Sequence, residues 1–183
     1  GPNALHGGPG GFDKALWEIV ETGETPAPFV RLAHTSPDGD QGFPGRMDFT
    51  VRYTWKADNT VSIEYRATTD KPTVLNITNL AYFNLKGTGD ILDHQMTVAG
   101  DHYTPVGPDL IPTGAILPVG RTQYDLRKPR SLHDSAGKPI KYDVNLVLER
   151  GRDLADPVAI VKSPTGDLTL KLWTDREGLQ FYN

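Results

Sequence analysis

Residues 73–85 have the sequence Thr-Val-Leu-Asn-Ile-Thr-Asn-Leu-Ala-Tyr-Phe-Asn-Leu, and the rest of the chain can be organised around them. The first part, residues 73–80, is apolar and rich in β-branched side chains, which predicts a buried strand. The second part places two asparagines and two aromatic residues within six positions. That composition suits a concave surface that binds a ligand.

Alternating residues on the N-terminal side of this stretch predict two further strands. Between Met47 and Trp55 every second residue is apolar, and residues 61–65 repeat the alternation after a turn at residues 57–60. Such alternation is typical of strands that bury one face. Together with residues 73–80 they predict an antiparallel meander of three strands.

The remaining sequence also favours strands over helices. Glycine and proline number 19 and 15 among 183 residues and are scattered along the chain, which suits short strands joined by turns. Residues 29–34 and 95–99 have strand-like composition, and residues 158–161 and 168–173 predict a final hairpin. We expect one all-β domain over residues 1–183, and a lectin-like jelly roll is one architecture that fits.

Composition limits the classes of function. The 19 Lys and Arg against 23 Asp and Glu leave a net charge of −4, which offers no electrostatic reason to expect nucleic acid or a membrane surface. The absence of cysteine excludes thiolate chemistry and permits a cytoplasmic location. His94 and His102 flank one predicted strand, but no third ligand has a supporting spacing, so we expect neither a metal nor a cofactor.

A glycine-rich segment near the N-terminus is a candidate ligand loop. Residues 5–17 read Leu-His-Gly-Gly-Pro-Gly-Gly-Phe-Asp-Lys-Ala-Leu-Trp. A phosphate-binding loop would carry a Lys-Ser/Thr pair behind the glycines, which is absent here. A flexible linker would not be followed so closely by Phe12 and Trp17. We favour a tight loop that presents His6 to a small ligand, although a histidine bonded within its own loop is the commoner case.

These motifs together resemble the aldose 1-epimerase (galactose mutarotase) family. The resemblance rests on His-Gly-Gly-x-x-Gly-Phe-Asp-Lys from His6, on Ser-Pro-Asp-Gly-x-x-Gly-Phe-Pro-Gly from Ser36, on the stretch at 76–85, on Tyr-Asp-x-Asn at 142–145 and on Gln-Phe-Tyr at 180–182. It extends over the whole sequence. It implies a large antiparallel β-sandwich, the supersandwich of galactose mutarotases, and the interconversion of α and β anomers of aldohexoses such as galactose or glucose.

The resemblance also implies site residues. His6, Asn79, Asp143 and Gln180 would contact a small-molecule sugar, with Tyr82 or Phe83 providing a stacking face. Without the motif, Asp143 could equally open a strand through an Asx turn.

Two family histidines are replaced in this sequence. The family's catalytic acid falls on Leu80, and a second histidine falls on Val144. Leucine can neither give nor accept a proton, so we expect the activity to be impaired. The alternative is a non-catalytic carbohydrate-binding or regulatory relative that keeps the sugar site.

The family pattern is longer than this sequence. It places strands with a substrate-contacting arginine before Gly1, and the glutamate that acts as base after Asn183. We therefore expect the sequence to be the central part of the family's domain, with open sheet edges through which the chain self-associates.

Overall fold

The structure is a computed structural model that describes residues 3–183. It is built of antiparallel strands, and its described residues contain no α-helix, only a short 3-10 helix at Asp40–Gly42. None of these residues forms a helix long and apolar enough to cross a membrane. The chain divides into two compact units, Gly1–Leu80 and Ala81–Asn183, which are described in turn.

The first unit is a four-stranded meander. Each strand pairs antiparallel with the next, in the order β1-β2-β3-β4. The strands are β1 (Glu18–Gly23), β2 (Phe29–Ser36), β3 (Met47–Trp55) and β4 (Val61–Thr69). The predicted hairpin of β3 and β4 is confirmed, with Val51 opposite Tyr65 in its register.

One face of this sheet carries the first unit's core. Met47, Phe49 and Val51 alternate along β3 and are buried, as the alternation predicts. The Phe49 ring lies 4.4 Å from the ring of Phe12, centroid to centroid. Trp17 donates a hydrogen bond of 3.0 Å from its indole Nε1 to the Phe12 carbonyl, so the segment after the glycine loop packs against the sheet.

The second unit contains two sheets. β5 (Gln95–Val98), β9 (Ala159–Lys162) and β10 (Thr169–Leu172) form one, in the order β10-β9-β5. The other has the order β11-β8-β6-β7. Its strands are β6 (Gly100–Thr104), β7 (Leu117–Pro118), β8 (Asp143–Leu148) and β11 (Gly178–Tyr182). The predicted final hairpin is confirmed as the pairing of β9 with β10.

A hydrophobic core holds the second unit together. Along β8 the residues Val144, Leu146 and Leu148 are buried, whereas Asp143 on the opposite face is exposed. Phe181 of β11 packs against this core opposite Val144. The alternation of β8 therefore separates an apolar face from a polar one.

The strand prediction for residues 73–80 is wrong. No strand is assigned there, and Val74 and Leu80 are 71% and 60% exposed. Among the described residues β4 pairs only with β3, so residues 73–80 do not extend the sheet as a further strand. β-propensity reflects how a side chain fits a paired, half-buried surface, and it does not create a strand without a partner. Of the predicted three-stranded meander only the β3–β4 hairpin is confirmed, and the observed meander continues from β3 to β2 and β1 instead.

Candidate functional site

The glycine loop of the first unit is tight and packs on a second motif. The Gly10 amide donates a 3.0 Å hydrogen bond to Oε1 of Gln41, which lies in the Ser-Pro-Asp-Gly segment. A Cβ at Gly8 or at Gly10 would lie 2.7 Å from the Gln41 side chain. A positive φ of 96° favours glycine at Gly8, whereas a side chain at Gly10 would require the end of the Gln41 side chain to move. The predicted tight loop is confirmed, and it joins two motifs that are about thirty residues apart.

His6 is exposed and begins this loop with a positive φ of 52°. Its carbonyl oxygen would lie 2.4 Å from a Cβ placed on Gly11, so the backbone of His6 is folded onto the loop while its imidazole remains accessible. Nearby, the Lys14 ammonium donates to Asp13 and lowers the pKa of that carboxyl.

Asn79 and Leu80 end the first unit. Asn79 donates from Nδ2 to the Tyr53 hydroxyl at 3.5 Å. The Leu80 side chain is exposed rather than packed in a core. An aliphatic side chain in such a place adds little to the stability of the fold, and a histidine there would be accessible to a ligand.

In the second unit the structure brings Asp143 and Gln180 together. Gln180 donates from Nε2 to Oδ1 of Asp143 at 2.8 Å, and both residues are exposed. They lie on neighbouring strands, β8 and β11, where Gln180 is opposite Asn145 and Tyr182 is opposite Asp143. Because side chains alternate along each strand, all four point to the polar face of this sheet.

Asn145 and Thr104 extend this polar face across a third strand. Asn145 donates from Nδ2 to Oγ1 of Thr104 at 3.0 Å, and the two residues are opposite each other in β8 and β6. Neither residue was predicted from the sequence as a ligand contact. The Tyr-Asp-x-Asn motif pointed to Asn145, but only the strand register adds Thr104.

An aromatic concavity of about 400 Å³ lies in the same unit. It is lined by Tyr82, Phe83, Asn84, Asp90, Ile91, Leu92 and Asn183. The Tyr82 ring meets the Tyr182 ring edge to face, with centroids 6.1 Å apart. Since Tyr182 is opposite Asp143 in the sheet, it connects the aromatic residues with the carboxylate–carboxamide pair.

Asn183 and Tyr142 fix this end of the sheet. Asn183 accepts a hydrogen bond from the Tyr142 amide at 2.7 Å and donates to the Ile140 carbonyl at 3.0 Å. The Tyr142 hydroxyl donates to the Gln123 carbonyl at 3.1 Å, and burial raises the pKa of that hydroxyl. Tyr142 is therefore a neutral hydrogen-bond donor within the core, on the side of the sheet away from Asp143.

The structure accounts for the apolar residue at position 144. Val144 is 4% exposed and belongs to the hydrophobic core of the second unit. A histidine side chain there would point into that core, away from the face that carries Asp143. The valine at this position thus leaves the polar face unchanged.

The four predicted site residues of the second unit, Tyr82, Phe83, Asp143 and Gln180, lie around these two features. His6, Asn79 and Leu80 belong to the first unit. Among residues 3–183 no three His, Cys, Asp or Glu side chains form a group that could hold a metal ion.

The antiparallel sheets place the chain in the all-β class, and comparison with known proteins narrows this class to a family. A family model described as Aldose 1-epimerase matches residues 1–183. The chain belongs to the aldose 1-epimerase family.

Similar sequences and structures agree with this. Galactose mutarotase of Rattus norvegicus is 40% identical over 191 residues, covering 99% of this chain and 52% of the relative. Aldose 1-epimerase of Escherichia coli (strain K12) is 40% identical over 190 residues, covering 100% of this chain and 54% of the relative. The chain spans about half the length of these relatives.

Solved structures show the same fold. The crystal structure of an aldose epimerase homologue from C. elegans superposes with a TM-score of 0.87 at 30% identity, covering 98% of this chain and 55% of that one. The crystal structure of galactose 1-epimerase from Lactobacillus acidophilus NCFM superposes with a TM-score of 0.76 at 28% identity, covering 89% of this chain and 49% of that one. The predicted all-β, galactose mutarotase-like fold is confirmed.

Proposed function

We propose that this chain binds an aldohexose such as galactose or glucose and that it is impaired in the interconversion of the sugar's anomers. The observation that carries the proposal is the exposed Asp143–Gln180 pair, joined at 2.8 Å beside the Tyr82–Tyr182 ring contact. Membership of the epimerase family supports the substrate class.

The polar pair has the chemistry that sugar hydroxyls require. The Asp143 carboxylate has several acceptor sites, and one lone pair is used by Gln180. The others remain for ligand hydroxyls, and the Gln180 amide adds a carbonyl acceptor. Tyr82 and Phe83 would cover the apolar C–H face of the ring. In the first unit, His6 and Asn79 are further proposed sugar contacts, supported by their family motifs.

The proposed reaction is the opening of a cyclic hemiacetal. A base takes the proton of the C1 hydroxyl while an acid protonates the ring oxygen; the C1–C2 bond then rotates and the steps reverse. Histidine suits the acid role because its pKa lies near neutrality. Leu80 occupies the position at which the family resemblance expects that histidine, and the family's base has no counterpart among the motifs matched here. Loss of one general acid costs about 10²–10⁴-fold in rate.

The second candidate function is that of a non-catalytic carbohydrate-binding or regulatory relative. It is favoured by the combination of a retained Asp143–Gln180 pair with an exposed leucine at the acid position. This relative would bind the sugar without accelerating its mutarotation.

Polarimetry of freshly dissolved α-D-glucose tests the reaction, and calorimetric titration with D-galactose tests binding. Under our proposal galactose binds, and the rate of mutarotation is low relative to a family member that carries the histidine. A rate equal to the buffer background, together with binding, establishes the non-catalytic relative. A rate matching that of the Escherichia coli enzyme would refute our interpretation of Leu80, and failure to bind any aldohexose would refute the proposal.

A further inference from the structure

His94 is a buried histidine that makes a hydrogen bond through each ring nitrogen. It is 3% exposed and lies just before β5. Its Nε2 accepts from the Leu85 amide at 3.1 Å, and its Nδ1 lies 3.1 Å from the Ile91 carbonyl oxygen. An amide can only donate and a carbonyl can only accept, so the proton must be on Nδ1. The geometry therefore requires a neutral imidazole.

These two bonds reach both backbone segments that line the aromatic concavity, which form two walls. One wall is formed by residues 82–84, which directly precede Leu85, and the other by residues 90–92, which include Ile91. Asn84 stabilises the turn between the walls by donating from Nδ2 to the Thr88 and Gly89 carbonyls, at 3.2 and 3.0 Å. Those contacts shape the turn itself, whereas His94 joins the backbone on each side of it.

The Tyr82–Phe83 segment depends on hydrogen bonds of this kind to stay in place. Tyr82 and Phe83 are exposed, and the segment that carries them is not part of a strand. Exposed segments without a ladder of backbone hydrogen bonds open at little cost in free energy. A bond from the adjacent Leu85 amide to a buried side chain restrains the segment at its C-terminal end.

We propose that His94 is a positioning residue. As the Nδ1-protonated neutral imidazole, it holds the Tyr82–Phe83 segment in place relative to residues 90–92 and so keeps the concavity in shape for a ligand. That the ligand is an aldohexose rests on the proposed function above.

Two substitutions separate the two bonds. The amide oxygen of glutamine can reach the place of Nε2, so His94→Gln retains an acceptor for the Leu85 amide. The shorter asparagine places its amide nitrogen near Nδ1, so His94→Asn retains the donor to Ile91 and loses that acceptor. His133→Asn is the matched control, because that half-buried histidine lies 3.7 Å from Asp93 and bonds to neither wall.

Hydrogen exchange followed by mass spectrometry, on the full 183-residue chain, measures the order of the peptide spanning residues 82–86. We expect exchange of this peptide to be about tenfold faster in His94→Asn and close to that of the unsubstituted chain in His94→Gln and His133→Asn. The same exchange measured against D-galactose concentration should give a dissociation constant about two- to tenfold higher for His94→Asn alone.

The outcomes are distinguishable. If His94→Asn and His94→Gln exchange alike in this peptide, the bond to Leu85 does not position the segment and the proposal is wrong. If exchange changes as expected but the unsubstituted chain shows no protection by galactose, the positioning role stands and the sugar assignment fails. If exchange accelerates across the whole second unit in both variants, His94 serves general stability and the positioning role is refuted.

Discussion

Replacement of Asp143 tests the candidate site most directly. Its carboxylate is exposed and accepts the Gln180 hydrogen bond at 2.8 Å. Asp143→Asn keeps an oxygen that can accept from Gln180 but removes the charge. Asp143→Ala removes both the acceptor and the charge. The pair of variants therefore separates the contribution of the charge from that of the hydrogen bond.

The expected magnitudes follow from the exposure and the charge of this group. Substitution of an exposed side chain usually changes the free energy of unfolding by no more than about 0.5 kcal/mol. A hydrogen bond to a charged group contributes about 1.5–3 kcal/mol. Asp143→Ala should therefore weaken galactose binding about 10- to 150-fold. Asp143→Asn retains a neutral hydrogen bond, which contributes about 1 kcal/mol. The affinity of this variant for galactose should therefore lie between that of the unsubstituted chain and that of Asp143→Ala.

Isothermal titration calorimetry with D-galactose measures the affinity, and thermal unfolding measured on the same samples reports the integrity of the fold. Asp175→Asn is the control, because that carboxylate is also exposed but lies outside both features of the site. Unchanged galactose affinity in a folded Asp143→Ala variant would remove Asp143 from the site.

Three further predictions concern catalysis, stability and assembly. Leu80→His should raise the mutarotation rate about 100-fold or more when the protein also contains the family's base; no gain in polarimetry would show that Leu80 does not occupy the acid position. Phe49→Ala should lower the free energy of unfolding by about 3–5 kcal/mol, because Phe49 is 2% exposed against the Phe12 ring; a loss below about 1 kcal/mol in urea unfolding would contradict this packing. The chain expressed alone should self-associate through the edges of β1 and β4, and monodisperse monomeric light scattering at the mass of 20.1 kDa would contradict it.

Local patterns were sufficient to predict the hairpins. The alternation in β3 and β4 and the short turn between them define both the strands and their register, because neighbouring strands joined by a tight turn can pair in few ways. The same reasoning holds for β9 and β10. The glycine loop could also be predicted, since few other arrangements accommodate four glycines in five positions after His6.

Local patterns failed where the outcome depends on partners distant in sequence. Residues 73–80 have the composition of a strand, but their conformation depends on whether a strand lies beside them, and composition does not report that. The exposure of Leu80 follows from the same fact. The family resemblance indicated its position in the motif, yet only the structure shows that the side chain lies outside a core.

The sequence by itself determined the all-β class and the family and predicted the candidate site residues, because strand alternation, turns and motifs depend on residues close together in the chain. Tertiary structure decided which of those residues meet. Asp143 and Gln180 are 37 positions apart, and Asn145 and Thr104 are 41 apart. Their contacts depend on the register of β8 with β11 and β6, which is set by the burial of Val144 and Leu146 on the opposite face. A shift of one residue would exchange the two faces, so the packing of the core positions the polar site.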